Sequence, residues 1–200
     1  MSITKNLRGR PAGDHDKKRI ELLNIAIHIL VNEGYAGLSM RKLASKANVT
    51  TGAITYYFAN KSALMESIAD ELFDRFTLLL SKNTDFNVKQ AIEEWISWTY
   101  NDDGELWKAF LQLQSYASEN DTFIEYAQRR YDIFIEQLQQ FIEIGQESNQ
   151  IRVDIPASIL AEQLSAMGDG LMIMQSIYPK RLSAEKVEQF KAGLLTLIST

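Results

Sequence analysis

Apolar positions along the chain recur with a helical period, and short clusters of capping and turn residues separate the stretches that carry them. Over residues 17–33, Leu22, Leu23, Ala26, Ile27 and Leu30 share one face while Glu21, Asn24, His28 and Asn32 lie opposite, which predicts a helix ended by Gly34. Ser39 then precedes a short run with Leu43, Ala44 and Ala47 on its inner side, so Ser39 is expected to cap it and Leu38 to staple onto Leu43. Asn48 supplies the turn, because Asn tolerates positive φ better than most residues. Thr50 caps the next short helix, with Val49 stapling onto Ile54, and Asn60 caps a long helix from Lys61 to about Ser81 that carries Leu64, Ile68, Leu72 and Phe76.

Breaks at residues 83–85, 101–104, 118–122, 148–156 and 178–183 divide the remainder into five further helical segments, giving about nine in all. The segment over residues 121–148 would extend ~40 Å unbroken. Residues 151–155 form the one short alternating run, read as a connection leading to Pro156 near the next helix start. The fold class is therefore all-α: an N-terminal three-helix helix-turn-helix domain, residues 17–62, followed by a larger helical domain, residues 63–200. Residues 1–16 form a basic arm expected to be flexible.

Charge changes the picture of the first part. Helix N-termini favour acids in their first turn, yet no Asp or Glu occurs between Gly34 and Met65, where Arg41, Lys42, Lys46 and Lys61 do. Three capped N-termini with cations in place of acids suit an external polyanion, and the phosphate backbone of DNA is the obvious one. Residues 1–61 hold ten Lys and Arg against four acids, net +6, and the rest of the chain holds 11 against 22, net −11. A basic head on an acidic body points the same way. In the arm, Arg8-Gly9-Arg10-Pro11 resembles the core of an AT-hook, whose flat Arg side chains enter a narrow minor groove; a solvated tail is the alternative.

The helix with Ala26 and Leu30, Gly34-Tyr35, Leu43-Ala44, Ala47-Asn48-Val49, Gly52, Tyr56-Tyr57-Phe58, Lys61 and Leu64 resemble the DNA-binding domain of the TetR/AcrR family of bacterial transcriptional regulators over roughly residues 17–65. The family usually has Gly where Asn48 stands and a bulky or aromatic residue where Thr55 stands; the second departure alters which bases are read. The resemblance implies phosphate contacts by Thr50, Tyr56 and Lys61, aided by Ser39, Arg41 and Lys42. It implies that Thr51, Ala53, Thr55 and Tyr57 face the bases and that Gly52 allows close approach.

Composition narrows the rest. A hydrophobic fraction of 46% over 200 residues is ample for a core, and Cys is absent. With no apolar run near the ~20 residues a membrane helix needs and no signal-peptide core after the basic N-terminus, a cytoplasmic location is expected. There is no Ser with a plausible His partner, no Gly-rich phosphate loop and no Glu-x-x-His pair, so catalysis is not expected. With only His15 and His28 in the chain, neither a metal nor a cofactor is expected.

Half of the twenty aromatics lie between Trp95 and Phe134, a concentration suited to a ligand pocket between helices, with Glu94, Gln112 and Gln114 as polar candidates; the alternative is that the rings fill a helical core. The candidate ligand residues are Trp95, Trp98, Phe110, Gln114, Tyr131, Phe134 and Met167. The last two segments, residues 157–178 and 184–199, are amphipathic, with Ala166, Gly168, Gly170, Ala192 and Gly193 beside the apolar stripes. In the TetR family the final two helices build a four-helix dimer interface, and this pair is similar in position and pattern; completing the monomer core is the alternative. Gly168-Asp169-Gly170-Leu171 resembles the Asp-Gly-Leu of many family members, including the choline-responsive BetI type. That likeness does not identify an effector; a cationic guest held by Trp95, Trp98 and an acid through cation–π attraction is a separate hypothesis. These readings converge on a homodimeric, ligand-responsive regulator, a repressor, on a pseudo-palindromic operator. The alternative is a DNA-binding dimer with no small-molecule effector.

Overall fold

A computed structural model of the protein describes residues 12–81, 87, 90, 91, 94, 95, 105–178, 180 and 183–200. Arg8, Arg10 and Trp98 lie outside the described residues, as do the breaks expected at 83–85 and 101–104. The fold is all-helical, as the pattern predicts. Eight helices are described: α1 Ala12–Gly37, α2 Met40–Lys46, α3 Thr51–Tyr57, α4 Lys61–Ser81, α5 Glu105–Ala117, α6 Asp121–Glu147, α7 Ala157–Ile177 and α8 Ala184–Ile198. Gln90, Ala91, Glu94 and Trp95 are helical too, in the stretch where the ninth segment was expected. No described helix is long and apolar enough to cross a membrane.

The chain divides into two compact units, residues Met1–Ser67 and Ile68–Thr200. In the first, the predicted face of α1 is the core: Leu22, Leu23, Ala26, Ile27 and Leu30 are buried, with Leu38, Leu43, Ala44, Ile54, Phe58, Leu64 and Met65. α1 begins at Ala12 and not at residue 17. Gly34 breaks it with φ 68°, a conformation glycine reaches without strain. Ser39 accepts from the Lys42 amide and Thr50 from the Ala53 amide, both at 3.2 Å, and Asn60 accepts from the Ala63 amide at 2.9 Å. All three expected caps are formed. Asn48 takes φ 53°, so the turn between α2 and α3 uses the left-handed conformation that Asn tolerates.

In the second unit α6 runs as one helix through 27 residues, because Phe134, Leu138, Phe141 and Ile142 keep a constant inner stripe. Leu138 and Ile142 pack with Leu160, Ala161 and Leu164 of α7 and Val187, Leu194 and Ile198 of α8. The 151–155 run is a connection, as expected: the Arg152 amide donates to the Ile198 carbonyl at 2.8 Å, and the Gln146 amide group donates to the Arg152 and Ile155 carbonyls. Polar links fasten α6 along α4. The Tyr126 hydroxyl donates to Asp70 at 2.5 Å, Arg130 Nη2 to Asp74 at 2.6 Å and the Thr77 hydroxyl to Gln137 at 2.8 Å. Residues 126, 130 and 137 follow helical spacing, so one edge of α6 is polar while the adjoining edge carries Tyr131 and Phe134 inward.

Candidate nucleic-acid interface and effector cavity

The two short helices of the first unit each begin with a side-chain cap and no acid in the first turn, and α4 likewise has no acid there. Ser39, Arg41, Thr50, Thr51, Gly52, Thr55 and Tyr56 are exposed, whereas Lys42, Ala53, Tyr57 and Lys61 are half-buried. Among the described residues Tyr56 is the most open of the large apolar side chains, at 73%. The free amides at the start of α3 therefore stand beside hydroxyls and a ring, an arrangement that suits phosphate oxygens.

Two of the proposed cations are engaged inside the unit. Lys42 pairs with Glu33 of α1. Lys61 Nζ donates to the Tyr35 carbonyl at 2.7 Å and sits 3.5 Å from the centre of the Tyr35 ring; burial lowers its pKa. The Thr55 hydroxyl donates to the Gly52 carbonyl at 3.0 Å, which turns it toward its own helix. Gly52 has open space: an added Cβ would meet nothing nearer than the Thr50 hydroxyl at 3.8 Å.

The second unit holds two adjoining, partly open cavities. One, of about 50 Å³, is lined by Phe76, Ala91, Trp95, Phe134, Leu138, Phe141, Ile151, Leu164, Ser165 and Ile198. The other, of about 30 Å³, is lined by Phe73, Phe76, Trp95, Trp107, Phe110, Tyr131, Phe134, Ser165, Gly168, Asp169 and Met172. They share Phe76, Trp95, Phe134 and Ser165. A larger hollow of about 220 Å³ lies between α5 and α6, with Phe110, Gln114 and Tyr131 in its wall. Of the candidate ligand residues, Trp95, Phe110, Tyr131 and Phe134 come together at the inner cavities and Gln114 faces the outer hollow.

Met167 does not line any of these spaces and is 39% exposed. It stands roughly 100° round α7 from Gly168, and Met172 fills the inner position instead. Sequence reasoning left Ser165, Asp169 and Met172 out of the site, although with Leu164 and Gly168 they mark one face of α7 at helical spacing.

Asp169 is the chemically distinctive group. Burial among the rings raises its carboxyl pKa, and a hydrogen bond from Tyr131 opposes that rise. The Tyr131 and Ser165 hydroxyls lie 2.5 Å apart, and burial raises the Tyr131 pKa above its ordinary value. One carboxylate in a wall of aromatic faces can hold a cation, since ring quadrupoles and the acid attract the same charge. Gly168 makes the wall possible: a Cβ there would lie 2.6 Å from the six-membered ring of Trp95. Gly168→Ala is therefore expected to expel the indole from its seat on α7, blue- or red-shifting tryptophan emission and lowering the melting temperature by several degrees; an unchanged spectrum would contradict the close packing. Among the described residues no group of three or more His, Cys, Asp or Glu could hold a metal ion.

Comparison with known proteins places these features. The family model described as bacterial regulatory proteins, tetR family, matches residues 22–68, and that of the BetI-type transcriptional repressor C-terminal region matches residues 87–198. The HTH-type transcriptional regulator PksA of Bacillus subtilis is 22% identical over 88% of this chain and 87% of its own length. The HTH-type transcriptional regulator BetI of Vibrio vulnificus is 21% identical over 84% of this chain and 86% of its own. In structure the fold matches a transcriptional regulator from Saccharomonospora viridis in complex with choline, with a TM-score of 0.71 and 21% identity over 92% of this chain and 100% of that one.

Proposed function

The chain belongs to the TetR family of bacterial transcriptional regulators, and from that premise we propose that it is a homodimeric repressor released by a cationic small molecule. Two copies bind a pseudo-palindromic operator, one α3 per half-site about 34–36 Å apart. It acts in the cytoplasm, where the bacterial chromosome is. The observation that carries the DNA reading is the run of three side-chain-capped, acid-free helix starts at Ser39, Thr50 and Asn60. In this reading Thr50, Tyr56 and Lys61, with Ser39, Arg41 and Lys42, hold phosphates. Thr51, Ala53, Thr55 and Tyr57 face bases.

Pairing is supported by an apolar stripe left open on α7, where Ile159, Ile173 and Ile177 are exposed and Gly170 has nothing within 4 Å of an added Cβ. Leu197 of α8 is exposed as well. The effector reading rests on Asp169 among rings, and the solved relative that holds choline points to the same chemistry. Cavities of about 50 and 30 Å³ admit a few waters, so a guest of that kind has to spread α6 from α7. Binding is thereby tied to a second conformation, and its effect is bounded by the guest's difference in affinity for the two. The same tightness favours one second reading, a DNA-binding dimer that takes no small molecule.

Selection of DNA by the purified protein tests the first part: a two-fold symmetric site and a dimer by light scattering are expected, and an unrepeated half-site bound by a monomer would refute it. On the selected duplex, Lys61→Ala should weaken binding to all sequences and lower the salt slope by about 1. Thr51→Ala should relax preference at one or two base pairs. Equal loss of sequence preference in both variants would contradict the assignment.

A further inference from the structure

The first turns of α1 hold a ring that the DNA reading has not used. His15 lies 4.8 Å from Tyr57, centre to centre, and 5.5 Å from Tyr56, while Tyr56 and Tyr57 meet edge to face at 5.1 Å. The three rings thus touch one another as a closed triangle. Tyr57 also leans on Phe58 at 6.4 Å, and Phe58 is buried with the Arg19 guanidinium 5.8 Å from its ring centre. On this side the triangle is anchored to the core; on the other, Tyr56 projects into solvent.

We propose that His15 is a positioning residue for DNA binding, which holds the Tyr56 and Tyr57 rings in the orientation the duplex meets. The inference rests on the proposed role of those two tyrosines at the interface. Consecutive residues of a helix point about 100° apart, so Tyr56 and Tyr57 need a third body between them to be fixed together, and α1 supplies one. Tyr57 by itself has Phe58 behind it, but Tyr56, so widely exposed, meets just the His15 and Tyr57 rings among the described residues. An aromatic ring held edge-on loses its preferred angle when the partner is removed. The imidazole acts here through its shape and face, and the neighbouring Asp16 carboxylate, 3.4 Å from Nδ1, pairs with the ring from the same turn.

The test compares wild type with His15→Ala, His15→Phe and His15→Lys on the selected duplex and on a random duplex of equal length at low salt. His15→Ala is expected to weaken binding to both on the order of fivefold to tenfold, with an unchanged salt slope, because no phosphate contact is lost. His15→Phe should restore most of the affinity, and His15→Ala combined with Tyr57→Ala should cost less than the two losses together. Wild-type affinity in His15→Ala would overturn the proposal. So would rescue by Lys with failure of Phe, which would make His15 a charge contact, or strict additivity with Tyr57→Ala. Circular dichroism melts of each variant separate these outcomes from loss of the fold. If Arg41→Ala and Lys61→Ala are also without effect, the DNA reading itself has failed; if only the His15 variants are silent, this inference alone falls.

Discussion

Replacing Gly52 by alanine is expected to leave the protein as stable as before, or more so, while weakening its hold on DNA roughly tenfold to a hundredfold. The two effects come from different neighbours. Inside the molecule a methyl at this position meets only the Thr50 hydroxyl at ordinary contact distance, and alanine in a helix is favoured over glycine by about 0.5–1 kcal/mol. Outside it, the methyl sits in the exposed first turn of α3, where the proposed binding mode brings the backbone against the duplex. Forcing an extra methyl into a close-packed contact costs typically 1–3 kcal/mol, and 1.4 kcal/mol is a factor of ten in affinity. Thermal unfolding and titration of the selected duplex would read the two effects separately. Undiminished DNA binding by a folded Gly52→Ala protein would show that the start of α3 does not enter the groove.

Asp169→Asn should raise the melting temperature near neutral pH and remove the response to quaternary ammonium ions. Burial lifts the Asp169 pKa above its ordinary 3.8, so the folded protein holds that proton more tightly than the unfolded chain does. Between the ordinary value and the raised one the folded state binds more protons, and stability therefore falls as pH rises through that window and stays lower above it. Asparagine has no such dependence and can still accept from Tyr131. The wild type should thus gain on its variant as the pH is lowered, and should be rescued at neutral pH by a cation that restores the balance of charge. Melting curves near pH 4 and pH 7, with and without choline and longer alkyltrimethylammonium salts, would check this. An Asn variant that melts lower at neutral pH, or that responds to the same cations as strongly, would make the carboxylate a structural group and remove the cationic effector from the proposal.

What the sequence made legible was local. A cap needs only its own turn, so Ser39, Thr50 and Asn60 could be placed from their neighbours, and Asn48 could be assigned its left-handed turn because few other side chains tolerate one. The buried face of α1 followed from period alone. What was not legible depends on a partner distant in the chain. Nothing near Lys42 predicts Glu33, and nothing near Lys61 predicts the Tyr35 carbonyl. The inner face of α7 illustrates the point: Met167 and Met172 are equally apolar in sequence, and which one lines the cavity depends on how α7 is rotated against α6. Asp169 stood in a recognised tetrapeptide, yet its burial among rings contributed by α4, α5 and α6 appears only once those helices are packed.

The seat of Trp95 on Gly168 gives the protein a built-in optical reporter. The indole edge rests on the helix residue next to Asp169, so the cation proposed for that acid would arrive beside the chromophore, change the surroundings that set its emission and be followed without any dye. The same property would let whole libraries of compounds be ranked on unmodified protein.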